Sequence, residues 1–225
     1  MQRYILALTI IFCILCFSAC YSPDYKPDDT IIPPLSEQSS NPICDEINDV
    51  TDSGSGSLAE GVYGIGDIIS LENLLTESDY CYPDDSLGRS FSFANHPNKV
   101  FMIEMSATWW GPCLTSIPEG DEIYEYWADD DRVEIIHFLD DLNQPYSCSS
   151  WGNQGVTDIP PIVDGAFYTV RNWFPKDADT GSIFPLTIFI NHNMQIIYMH
   201  WGKLSLFGLD GSEANEKINC MLDEM

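Results

Sequence analysis

Two apolar runs organise the middle of the chain. NKVFMIEMSA, 98–107, and VEIIHFL, 133–139, are short and rich in strand formers, and each predicts a buried strand. Between them, residues 114–127 carry Ile117, Ile123, Tyr124 and Trp127 on one face, which predicts a helix. Pro112 suits its first turn, where the missing N–H has no partner to lose. Pro118 is expected to kink it, and DDDR, 129–132, to end it. Strand, helix, strand implies a right-handed parallel crossover. FPLTIFI, 184–190, and MQIIYMHW, 194–201, flank the turn NHN and read as an antiparallel hairpin. SEANEKINCMLDEM, 212–225, reads as a closing helix with Ser212 as its N-cap. Residues 140–181 show no clear period; they hold two acidic pairs, the CSSWGNQG loop, Pro160 and Pro161, and a short helix near 167–173. The fold class is α/β, a central mixed sheet flanked by helices.

The N-terminus follows another logic. Arg3 precedes an apolar run, Tyr4 to Phe17, that ends in FSAC, 17–20. The run is shorter than the roughly 20 residues of a membrane span, and the layout is that of a signal peptide. Its end resembles a bacterial lipobox, with cleavage before a lipidated Cys20, although Phe17 stands where Leu is usual. A signal peptide cut elsewhere and an uncleaved anchor remain alternatives. Tyr21 is not the Asp that tends to retain enteric-type lipoproteins in the inner membrane. Pro23, Pro27, Pro33, Pro34 and Pro42, followed by TDSGSGS at 51–57, read as a flexible spacer. The expected organisation is a signal peptide over 1–19, a tether over 20–61 and one domain over 62–225. The expected location is the cell envelope, facing the periplasm or on the outer membrane.

Charge narrows the partners. Asp and Glu number 35 against 9 Lys and Arg, a net charge of −26. Nucleic acid is excluded, because phosphate binding needs clustered positive charge. A strongly solvated acidic surface is the simplest reading. Of eight cysteines, Cys13 and Cys16 leave with the signal and Cys20 takes lipid, which leaves Cys44, Cys81, Cys113, Cys148 and Cys220. The remaining number is odd, so one thiol is free or pairs outside the chain. Cys44 with Cys81 is the more natural structural staple, tying tether to domain; Cys148 could instead be stapled to Cys44 or Cys81 or stay a free thiol, and Cys220 reads as a core thiol. No metal is expected: His96, His137, His192 and His200 lack ligand spacing, and DADTG, 177–181, departs from a calcium loop and reads as a turn. No cofactor is implied.

ATWWGPC, 107–113, carries the chemistry. With the element order above, it resembles the thioredoxin superfamily, and within it the exported, membrane-tethered TlpA/ResA-like (redoxin) proteins. The resemblance covers residues 62–225. Trp109, Gly111, Pro112 and Cys113 match W-C-G-P-C except at Trp110. Ile183 to Ile190 resembles the strand opened by the family's cis-proline, which puts Pro185 there. Glu104 lies six residues before Trp110, where thioredoxins keep a buried carboxylate. Asn143 to Asp179 looks like an insertion before the cis-proline hairpin. The resemblance implies a thioredoxin-like fold and a thiol–disulfide site facing exported protein or peptide thiols. In such a site the first cysteine attacks and the second resolves the mixed disulfide. The helix N-terminus favours a thiolate, and the buried carboxylate relays a proton.

Trp110 cannot attack a disulfide, so the dithiol cycle at 110 and 113 is excluded by the sequence. Three readings stay open. A relocated pair of Cys113 and Cys148, with Glu104 as relay, would keep an oxidoreductase. A groove beside Pro185, walled by Trp109 and Trp110, would make a non-catalytic binder of extended peptides or a partner protein. A purely structural envelope lipoprotein would need neither. The leading expectation is a degenerate thioredoxin-like lipoprotein.

Overall fold

The computed structural model describes Cys44 and residues 61–83, 88–155, 160–203 and 211–225. The signal peptide, the lipidation site Cys20 and the tether other than Cys44 and Gly61 lie outside the described residues.

A short helix, α1 (Leu71–Leu74), precedes β1 (Ser78–Tyr82) and β2 (Ser90–Phe91). The expected strand is β3 (Val100–Ala107), all eight residues of which are buried. Next come α2 (Gly111–Trp127), β4 (Val133–Asp140), α3 (Cys148–Gly152) and β5 (Ile162–Asp164). The hairpin strands are β6 (Leu186–Ile190) and β7 (Ile196–Trp201), and α4 (Gly211–Asp223) closes the fold. The sheet has seven strands in the order β2-β1-β5-β4-β3-β6-β7. β3 pairs parallel with β4 and antiparallel with β6. β5 runs parallel to β4 and antiparallel to β1. The sheet is mixed and flanked by helices, as the pattern predicts.

A run of apolar residues without alternation means that both sheet faces are covered. Val100 and Met102 pack with Ile123 and Trp127 of α2 and Ile218 and Met221 of α4. Phe101, Ile103 and Met105 point the other way, into a cluster with Phe91, Phe93, Trp173 and Phe174. Side chains alternate along a strand, so Glu104 shares the α2 face with Met102. His137 stands level with Glu104 on the parallel neighbour.

α2 runs from Gly111 to Trp127 with Pro118 inside it. Two expectations need correction. α4 starts at Gly211, so Ser212 is inside the helix rather than its cap. The cysteines pair as Cys44–Cys220 and Cys81–Cys148, not Cys44–Cys81. The reason is spatial. Cys148 opens α3, which packs on β1, and this brings it within 5.9 Å of Cys81, Cα to Cα. Cys220 lies on α4 and meets Cys44 at 5.3 Å. Among the described residues, no helix is long and apolar enough to cross a membrane.

Candidate functional site

The site forms where β3 ends and α2 begins. Trp110 is the N-cap of α2, and its carbonyl accepts the Cys113 amide at 3.0 Å. The preceding residues are tied to the end of β4. The Thr108 hydroxyl donates to the Asp141 carbonyl at 2.5 Å and to the Gln144 carbonyl at 3.0 Å. The Trp109 indole N–H donates to Asp141 Oδ2 at 2.6 Å. The Tyr168 hydroxyl donates to that same oxygen. Asp141 therefore fixes both rings, and charge-assisted hydrogen bonds of this kind are the stronger ones. Trp109 and Trp110 meet edge to face, with centroids 5.5 Å apart, and both stay substantially exposed.

Tyr168 comes from an unusual turn. Ala166, Phe167 and Tyr168 have φ of 44°, 59° and 65°, a left-handed run that L-residues adopt only under constraint. The constraints are visible. Asp164 Oδ1 accepts the Ala166 amide at 2.8 Å, and Asp140 Oδ1 accepts the Tyr168 amide at 2.7 Å. Gly165 is required beside them, since a Cβ there would sit 2.5 Å from Asp140 Oδ1. The turn thrusts Phe167 into solvent at 91% exposure.

Cys113, three residues after Trp110, is fully buried and is the free cysteine of the described residues. Burial pushes its thiol up to about 12, so it is not a thiolate at neutral pH and a helix N-terminus has not activated it. Glu104 is also buried. Burial first, then repulsion from Asp121 and Glu119, raises its carboxyl to about 8. His137 Nδ1 is 3.9 Å from Glu104 Oε2, and burial pushes the imidazole down to about 3. At pH 7 both are therefore neutral, a proton-bearing acid beside an uncharged base. Together with Trp151 and Gly120 they line a cavity of about 10 Å³, the size of one water. Gly120 is what leaves room, because a Cβ there would lie 2.8 Å from Glu104 Oε2. The buried carboxylate expected at 104 is thus present, but next to a histidine that the sequence reading passed over.

On the open side, the Phe184–Pro185 peptide bond is cis. Trp110 stands between two lobes of one groove. One lobe, about 350 Å³, runs along Trp109, Gly181 and Ile183. The other, about 550 Å³, is walled by Pro112, Pro185, Met199 and Trp201. Volumes of this order hold a ligand side chain or a small molecule. The backbone at the groove floor is more occupied than a free edge would be. The Phe184 carbonyl accepts the Ser182 hydroxyl at 2.8 Å, and the Ile183 carbonyl accepts Arg171 Nε at 2.7 Å. The Pro185 carbonyl accepts the Gly202 amide at 2.9 Å. DADTG is a turn, as read from sequence. Asp177 Oδ1 accepts the Asp179 and Thr180 amides at 3.0 and 2.6 Å.

The structure brings Glu104, Trp109, Trp110, Cys113 and Pro185 to one end of the sheet and does not join Cys148 to Cys113. Cys148 is bonded to Cys81, because α3 turns its first residue toward β1. His137, Asp141 and Tyr168 escaped sequence reasoning. For His137 a signal existed: pairing Val100 with Val133 in parallel register puts 137 beside 104. For Asp141 and Tyr168 none did. Among the described residues, no group of three or more His, Cys, Asp or Glu is arranged to hold a metal ion.

No protein-family model matches the sequence, and no curated protein does. Solved structures do match. A secreted thiol-disulfide isomerase from Corynebacterium glutamicum superposes with a TM-score of 0.52 at 12% identity, over 66% of this chain and 83% of its own. A candidate thioredoxin from Neisseria meningitidis superposes with a TM-score of 0.51 at 11% identity, over 66% of this chain and 87% of its own. At such identities the likeness speaks for architecture alone, and the architecture is shared: the chain has a thioredoxin-like fold.

Proposed function

We propose that this chain is a thioredoxin-fold protein of the bacterial cell envelope, anchored through lipid on Cys20, that binds an extended segment of an exported protein without exchanging disulfides. The observation that carries this reading is Trp110 at the N-cap of α2 with a buried Cys113 three residues on. An indole occupies the N-cap where a nucleophilic thiol would be needed, and the remaining thiol is buried and protonated. A second thiol within reach is missing from the reading as well, since Cys148 is held by Cys81. The exposed Trp109, Trp110 and Phe167 supply the aromatic anchors on which binding surfaces rely. The groove beside Pro185 supplies the depth.

The test is disulfide mapping of the mature protein by differential alkylation and mass spectrometry, before and after mild reductant. The expected result is Cys113 alkylated only after denaturation, with both other pairs intact. It should be joined by binding of extended peptides that ignores reductant and weakens in Trp110→Ala. A Cys113–Cys148 bond that opens under mild reductant would overturn the proposal in favour of a relocated redox pair.

A further inference from the structure

The groove on the Trp201 side of Trp110 has a rim of distinct charge. Its apolar wall is Trp110, Pro112, Phe184, Pro185, Met199 and Trp201. Two carboxyl side chains and one amine line the groove. Asp177 and Asp179 come from the 177–181 turn, and Lys203 follows β7. Hydrogen bonds from Thr180 hold the Asp177 carboxyl below its ordinary range, so it is charged. His200, also in the lining, is lowered by burial and carries no charge at pH 7. Lys203 is already matched by Glu119, whose Oε1 is 2.8 Å from its ammonium. Neither Asp177 nor Asp179 is paired with a Lys or Arg of the described residues. The groove therefore presents two unmatched negative charges next to exposed indole faces. An indole face and a carboxylate are the two surfaces that a Lys or Arg side chain can use at once, through cation–π and ionic contact.

We infer that the occupant of this groove is an extended peptide segment with an apolar anchor flanked by Lys or Arg. The inference rests on the binding reading above and specifies its ligand class. The anchor fills the lobe between Pro185 and Met199, and the cationic side chain lies along Trp110 toward Asp177 and Asp179. The net charge of −26 disfavours a second copy of this chain as the occupant and draws a cationic segment in from a distance.

The experiment uses the mature soluble protein, from residue 21 onward and with its disulfides intact, and two fluorescein-labelled nonamer peptides of identical apolar pattern. One carries Lys at two flanking positions and the other Glu. Binding is read by anisotropy at two salt concentrations. The Lys peptide should bind at least tenfold more tightly, and the gap should narrow at high salt. Asp177→Asn/Asp179→Asn should weaken the Lys peptide about threefold to tenfold, as two half-exposed ion pairs allow. Asn at 177 keeps an oxygen to cap the turn. A control, Asp129→Asn/Asp131→Asn, removes the same charge at the other end of α2 and should change binding less than twofold. Equal weakening by both double variants would reduce the effect to general charge and overturn the inference. Equal affinity for the two peptides would overturn it while leaving the groove reading standing. Binding of neither peptide, or binding untouched by Trp110→Ala, would overturn both.

Discussion

Glu104→Gln should make the protein more stable, and increasingly so as pH rises. The Glu104 carboxyl moves from 4.5 to about 8 on folding, through burial and the repulsion of Asp121 and Glu119. Between those values the folded chain holds a proton that the unfolded chain has released. Stability must then fall with rising pH across that window. Below 4.5 the effect is absent, and above 8 it is complete. Between pH 5 and pH 8.5 the titration spans about three units, and at ~1.4 kcal/mol per unit the loss is about 4 kcal/mol. Gln is nearly isosteric and cannot ionise, so the variant escapes the loss. His137 acts with the opposite sign. Burial lowers its folded value from 6.5 to about 3, so its contribution to stability is lost as pH falls through that range. It is present in both proteins and cancels in the comparison. The assay is urea unfolding of both proteins at pH 5 and pH 8.5, disulfides intact, followed by far-ultraviolet circular dichroism and extrapolated linearly. The stability difference should favour the variant by about 4 kcal/mol more at pH 8.5 than at pH 5. Whatever the amide costs in packing is common to both pH values. A difference that stays constant within ~0.5 kcal/mol would mean that Glu104 ionises normally in the fold, and the reasoning would be wrong.

Cys113 should react with a disulfide reagent only after unfolding. At pH 8 a thiol near 12 is about one part in ten thousand thiolate, so native labelling should be at least a thousandfold slower than that of a free cysteine, as read by absorbance of the released thiol. Trp110→Cys should place a second thiol three residues before Cys113 and yield disulfide-reductase activity in an insulin-turbidity assay; a folded variant without activity would show that one substitution does not account for the loss. Cys81→Ser/Cys148→Ser opens a loop of 67 residues and should cost about 4 kcal/mol in chemical unfolding, chiefly by freeing the unfolded chain. Gly165→Ala forces a methyl against Asp140 and should destabilise by about 1–3 kcal/mol; an unchanged melting temperature would mean that the left-handed turn can relax around it.

What could be read from the sequence follows the burial of each element. β3, β4 and β6 lie in the middle of the sheet, covered on both faces, and their unbroken apolar runs announce them. β1, β2 and β5 are short and bear mixed residues such as Asp79 and Ser90, with no period to find. Without β1 in view, Cys81 is only one of several alternatives for Cys148, and the leading pairing, Cys44 with Cys81, is the one the structure corrects. Cys220 was read correctly as buried in the core and incorrectly as unpaired, since helix periodicity gives its face but not what faces it.

The same division runs through the candidate site. Glu104, Cys113 and Pro185, the residues the resemblance singles out, belong to β3, α2 and the entry to β6; Glu104 and Cys113 are buried, and the bond before Pro185 is cis. The residues that shape its surroundings, Asp140, Asp141, Tyr168, Arg171 and Ser182, come from the last residue of β4 and the segment after it, where hydrogen bonds replace apolar period as the organising force. Trp109 is braced through Asp141, and the Ile183 and Phe184 carbonyls each accept an internal donor. Recognition in the groove can then rest on backbone pairing or on side-chain anchoring by the aromatic wall. The variant that separates them is Ser182→Ala. It frees the Phe184 carbonyl while leaving Trp110, Cys113 and the apolar wall in place. If backbone pairing drives recognition, peptide affinity should rise by about threefold, one modest hydrogen bond's worth. If side-chain anchoring drives it, as the aromatic wall argues, affinity should stay within twofold, and a larger gain would refute the present assignment of the groove.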